Sequence, residues 1–148
     1  MRNHHYFTLL IFCCFILLNQ FIFGSPVKLH EALKSKKITG VIHGNSSSTH
    51  YLEPVVLELA NISNEAVTIA IEDGDLFIPT DSNKQNIVVT ASQLLVLQPK
   101  EKKAVKVKGM CIEPSDGSGN DGTIYTFKPT NNDTLQKLSQ FIHQKGYQ

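Results

Sequence analysis

Three cysteines are the chain's thiols, and they fall in unlike places. Cys13 and Cys14 lie in an apolar N-terminal run, whereas Cys111 ends the alternating stretch Val105–Cys111 (VKVKGMC), just before a loop rich in Gly, Ser and Asp. A thiol at a strand end becomes a nucleophile when a neighbouring base or a helix N-terminus lowers its pKa. It can also pair with another chain as an intermolecular disulfide. Without such help it is a small buried hydrophobe, the commoner fate of free cysteine. Cys111 is therefore a reactive-thiol candidate, and its position alone does not choose among these readings.

The other chemistry-bearing residues form looser groups. His43 and His50 bracket the loop Gly44–Thr49 (GNSSST), with His30 upstream. Metal ligation needs convergent ligands at compact spacing, which these lack, so they read as loop histidines. Asp116, Ser118 and Asn120 alternate as in a calcium loop, but Asp121 stands where the sixth-position glycine belongs and Phe127 where the twelfth-position glutamate belongs. Glu72, Asp73, Asp75 and Asp81 could gather as a carboxylate group at one end of a sandwich. Glycoside chemistry there would need an apolar pocket to raise one pKa, and sugar binding usually adds aromatic platforms. The chain has no Trp, and downstream of residue 24 only Tyr51, Phe77, Tyr125, Phe127, Phe141 and Tyr147 are aromatic. The acids thus read as a solvated turn, and no catalytic set, metal site or cofactor is expected.

The elements that must position these residues are mostly strands. Residues 1–24 read as a signal peptide: Arg2 gives a positive start, Phe7–Leu18 an apolar run, and Gly24–Ser25 small residues for cleavage. Asn19 and Gln20 interrupt the apolar run, which argues against a membrane anchor. Residues 25–148 then form one domain of about 124 residues, large enough to build a core without staples. With Arg2 removed its basic and acidic residues balance, which argues against nucleic acid or an anionic membrane as main partner. A single remaining cysteine excludes an internal disulfide, and export without disulfides fits a bacterial periplasm or surface. The N-x-S/T triplets at Asn45, Asn61 and Asn132 read as chance occurrences.

Gln93–Cys111 reads as the organising β-hairpin, an apolar arm over Leu94–Leu97 and an alternating arm carrying Val105 and Val107. Val55–Ala60 and Val67–Glu72 alternate with period two around an Asn-x-Ser turn and read as a second hairpin. A short helix within Val27–Lys37, strands at Ile38–His43, Leu76–Ile78, Gln85–Thr90 and Thr123–Phe127, and a helix over 133–145 capped by Asn132 or Asp133 complete the pattern. Pro79 confines its strand to an edge or ends it. The loop Pro114–Gly122 needs a neighbour or ligand to become ordered. About seven short strands at such spacing predict an immunoglobulin-like antiparallel β-sandwich, mainly β, with a short N-terminal and a C-terminal helix.

Several stretches carry a resemblance. Leu57–Ser63 (LELANIS), Gly74–Pro79, Asp81–Ser82 with Gln85–Asn86, Leu97–Pro99 and Val105–Cys111 together are similar to an uncharacterised exported β-sandwich domain of bacteria, Bacteroidetes in particular. The resemblance implies an exported sandwich and brings no established activity. More distantly, Cys111 followed by Tyr125 and a helix near Gly146–Tyr147 is similar in order to thioester domains of bacterial surface adhesins, without their glutamine-bearing segment.

The expectation is an exported, non-enzymatic binding or interaction module with an unknown protein or cell-surface partner. Its recognition surface would be the loops Gly44–Thr49 and Pro114–Gly122, with His43, Asn45, His50, Asp116, Asn120 and Asp121 as ligand-binding candidates. Two alternatives stand beside it. One is a structural domain of a shortened cell-surface protein, suggested by the apolar stripe Leu135, Leu138, Phe141 and Ile142; the other is covalent or redox chemistry at Cys111.

Overall fold

A computed structural model describes residues 25–146. The signal-peptide reading, Cys13 and Cys14 lie outside the described residues. Nine strands and two helices follow in order: β1 (Val27–Lys28), α1 (Leu29–Lys34), β2 (Ile38–Gly44), β3 (Tyr51–Asn61), β4 (Val67–Ile71), β5 (Leu76–Pro79), β6 (Ile87–Val89), β7 (Gln93–Leu97), β8 (Lys102–Cys111), β9 (Tyr125–Lys128) and α2 (Asp133–Gln144). The fold is mainly β and sandwich-like, with a three-stranded sheet β1-β4-β7 and a six-stranded sheet β2-β3-β8-β6-β5-β9. This three-plus-six division differs from the four-plus-three division of constant-type immunoglobulin domains. One pairing is parallel, Val27 opposite Ile69 and Lys28 opposite Ala70. Among the described residues no helix is long and apolar enough to cross a membrane.

The alternation read from the sequence sets the layers. Val55, Leu57 and Leu59 of β3 and Val67, Ile69 and Ile71 of β4 all point inward and are buried. Phe77 lies between the sheets in an edge-to-face contact with Phe127, centroids 5.4 Å apart. The six-stranded sheet curls until its two edges meet, where His43 bridges Ile124 and the Gly44 N–H donates to the Thr123 carbonyl at 2.9 Å. Closure at this end hides edges that would otherwise be free to pair.

Both expected hairpins are corrected. β3 lies in the large sheet and β4 in the small one; β7 lies in the small sheet and β8 in the large one. Each connection is therefore an arch crossing from one sheet to the other. Hairpins are enforced by tight two-residue turns, whereas these connections have five and four residues, 62–66 and 98–101. Asn61, 2% exposed, clamps the arches together. Its Nδ2 donates to the carbonyls of Glu65, Leu97 and Gln98 at 2.7–3.1 Å, and its Oδ1 accepts from the Ser63 N–H and hydroxyl. The Asn-x-Ser triplet is thus the corner of the sandwich.

Pro79 ends β5 but does not place it at an edge, since β5 lies between β6 and β9. The C-terminal helix starts as read: the Asn132 side chain accepts from the Thr134 and Leu135 N–H groups. Gly74, at φ 84°, is needed where the β4–β5 turn passes against the backbone of Gln136 in α2.

Candidate functional site

Three connections emerge at one end of the large sheet: residues 45–50, 80–86 and 112–124. They hold one another. The Ser46 N–H donates to Asp121 Oδ1 at 2.7 Å, and the Asp121 N–H donates back to Ser46 Oγ at 3.0 Å. The Asn120 backbone lies so close to Gly44 that any side chain there would strike it. On the other flank Gln85 donates through Nε2 to the Asp116 carbonyl and through its N–H to the Gly117 carbonyl, while Asn86 donates through N–H and Nδ2 to the two Glu113 carboxylate oxygens. The neighbour that orders the Gly-rich loop is therefore the 80–86 connection on one side and the 45–50 loop on the other. The two loops named from sequence do meet, through Ser46 and Asp121.

The sequence-named residues divide between builders and presenters. Asn45 is buried, its Nδ2 spent on the Glu53 carbonyl at 2.7 Å and its Oδ1 on the Ser47 N–H at 3.1 Å. Asn120 accepts from the Gly122 N–H and the Thr123 hydroxyl within its own turn. Asp116 is half-buried against Gln85. The half-buried His43 ring lies 2.8 Å from the Gly44 carbonyl and 3.5 Å from a Glu58 carboxylate oxygen. His50, Asp121 and, despite its turn bonds, Asn120 remain exposed. The Ser46 backbone N–H, with the Ser46 hydroxyl, holds the Asp121 carboxyl below the usual carboxylate range, so it presents a fixed negative charge.

Two presenters were not read from the sequence. Tyr51 is 61% and Leu52 42% exposed, directly after the 45–50 loop. Leu52 has φ 68°, the left-handed region that a branched side chain avoids, beside a break in the β3–β8 register between Leu52 and Val55. The Ser48 hydroxyl fixes the bend by donating to the Tyr51 carbonyl and accepting from the Glu53 N–H. Such strain costs about 1–2 kcal/mol and persists where surrounding contacts over-determine it. Glycine would relieve it and lose some through chain entropy. Leu52→Gly should therefore raise unfolding stability by roughly 0.5–1 kcal/mol in denaturant titrations, a rare gain from deleting a leucine. No glycine or Asn at position 52 advertised the bend.

Cys111 is half-buried against the core, its Sγ 3.5 Å from the Thr49 carbonyl and its N–H bonded to the His50 carbonyl. Burial, aided by the Glu113 charge, pushes the thiol up to about 11. That is opposite to what a nucleophile needs. Nearby Tyr125 is pushed up to about 12, chiefly by burial. Maleimide labelling of native protein at pH 7 should be at least tenfold slower than after unfolding, and should speed up about tenfold per pH unit above neutrality.

The carboxylates do not gather. Glu72, Asp73 and Asp75 precede β5 and Asp81 follows it. Asp75 corrects the reading of a solvated turn: it is 1% exposed and accepts from the N–H groups of Glu72 at 2.9 Å and Thr130 at 3.1 Å. Glu72 pairs with Lys28 at 2.7 Å, and Asp81 accepts from Asn83 in its own turn. Among the described residues no three of His, Cys, Asp and Glu converge as metal ligands. In α2, Ser139 and Ile142 turn inward while Leu138 and Phe141 stay largely exposed. Compared with family models, curated proteins and solved structures, the chain matches none of them.

Proposed function

We propose that this chain is an exported, non-enzymatic interaction module whose recognition surface is the loop end of the large sheet. The observation that carries the reading is the exposed Tyr51–Leu52 pair at the start of β3, held beside three interlocked loops with Leu52 in a strained backbone. Exposed aromatic and aliphatic anchors on a rigid base lose little freedom on binding, which is what makes a few residues dominate an interface. Asp121 and His50 add polar contacts at the rim. The half-buried, poorly ionised thiol of Cys111 favours recognition over covalent chemistry.

A second reading, a structural domain of a larger surface protein, is favoured by the exposed Leu138 and Phe141 on α2. The two are separated by binding of labelled protein to envelopes of the producing cell. A Tyr51→Ala/Leu52→Gly variant should lose at least tenfold in binding while Phe141→Ser keeps it. Loss through Phe141→Ser alone would favour the structural-domain reading.

A further inference from the structure

The partner of this surface can be narrowed from the distribution of charge. The chain is nearly neutral, yet its charges are sorted along β3. The loop end carries Asp81, Glu113, Asp116 and Asp121 against Lys84 and Lys108, with Glu53 and Lys106 paired to each other. The opposite end, where the arches cross, carries the exposed Lys34, Lys36, Lys37, Lys100, Lys102 and Lys103 against Glu31, Glu65 and Glu101. The eleven residues of β3 separate the ends by roughly 35 Å, at about 3.3 Å per residue. That is several Debye lengths at physiological salt, about 8 Å each, so each end acts on its surroundings as a separate patch of one net sign.

At the acidic end stand Tyr51 and Leu52, an exposed apolar pair. At the basic end a groove of about 360 Å³ opens between α1 and β4. Val27, Ala32, Ala66 and Val67 line it, with Glu31 and the ion-paired Lys37 and Glu65, 3.0 Å apart, on its wall. The knob and the groove lie at opposite ends of one molecule, so they cannot satisfy each other within it. They can do so between molecules.

We propose that the protein assembles head to tail with copies of itself, Tyr51 and Leu52 of one copy entering the α1–β4 groove of the next while the acidic loop end faces the lysines of the arches. The proposal rests on the loop end being an interaction surface and names its occupant as a second copy. An interface between unlike patches leaves one patch free at each end of every pair, so it grows into chains or closes as a ring. Charge steers the encounter, and the apolar anchor holds it.

The test is sedimentation velocity of the purified protein from about 1 to about 300 µM, at low and high salt. A series of dimers, trimers and longer species is expected, weakened at least tenfold by about 0.5 M salt. Leu52→Gly with Tyr51→Ala removes the knob without a folding penalty at position 52, and Lys37→Glu with Ala66→Trp closes the groove. Each variant alone should remain monomeric, and thermal melts verify that each is folded. Mixed one to one, they retain one intact knob and one intact groove and should form a heterodimer that grows no further. Three results would overturn the proposal: a monomer at every concentration, a closed dimer insensitive to both pairs of substitutions, or no heterodimer on mixing. A monomer that still binds envelopes through Tyr51 and Leu52 would overturn head-to-tail assembly and leave the interaction-module reading standing.

Discussion

Asn61→Asp is expected to be the most damaging single substitution in the chain. Asn61 Nδ2 donates to three carbonyls, those of Glu65, Leu97 and Gln98, where the two arches cross. A carboxylate has the same size and no hydrogen to give. At neutral pH it would place a buried negative charge against three carbonyl oxygens, and each unmade buried bond costs about 1–3 kcal/mol. The combined loss should exceed about 4 kcal/mol, a large share of the 5–15 kcal/mol that stabilises a domain of this size. Asn61→Ala removes the same bonds without adding charge and should cost about 3 kcal/mol. Far-UV circular dichroism and urea titration measure both. If Asn61→Asp unfolds no more easily than Asn61→Ala, the donor role assigned to Nδ2 is wrong.

Asp75→Ala ranks second. The Asp75 carboxylate satisfies the N–H groups of Glu72 and Thr130 and so ties the β4–β5 turn to the linker into α2. Removing it strands both donors, a cost of about 1–3 kcal/mol each. Part of that is offset, because burial raises the Asp75 pKa and its ionised form is therefore held at some expense. The net loss at pH 7 should be about 2 kcal/mol. The sign of the pH dependence follows from the same shift. With its folded-state pKa above the usual 3.8, Asp75 contributes stability that is fully present below 3.8 and declines as pH rises through the folded value. Asp75→Ala should lose that contribution to the slope of stability against pH in the mildly acidic range. Urea midpoints across that range check both statements, and an unchanged slope would mean the carboxyl titrates as if exposed.

How much of this was legible beforehand follows from what periodicity encodes. Alternation at Val55–Ala60 and Val67–Ile71 told which face of each strand is buried, because that depends on neighbours along the chain. It could not tell which strand lies alongside, because an arch and a hairpin bury the same alternate residues. Asn61 was visible as a turn residue, but its two long-range carbonyl partners, Leu97 and Gln98, come from pairing the two arches. The Asn132 cap was readable because capping is local. The sequence pairs the loops Gly44–Thr49 and Pro114–Gly122, and these touch through Ser46 and Asp121; of the named residues His50, Asn120 and Asp121 are exposed, whereas Asn45 is buried and builds a turn. Asp75 looked solvated in the run Asp73–Gly74–Asp75, and only the return of Thr130 buries it. Leu52 carried no signal, since nothing in the residue type indicates φ 68°.

The reading of Tyr51 and Leu52 as the recognition anchor is tested most directly by photo-crosslinking on intact cells. A photoreactive phenylalanine derivative is placed at Tyr51, with Leu94, an exposed residue on β7 of the other sheet, as the control position. The expected result is one dominant adduct from position 51 and none from 94, with its mass identifying the partner and showing whether that partner is a second copy. No adduct at 51, or equal labelling from both positions, would contradict the assignment of the loop end as the surface through which this protein works.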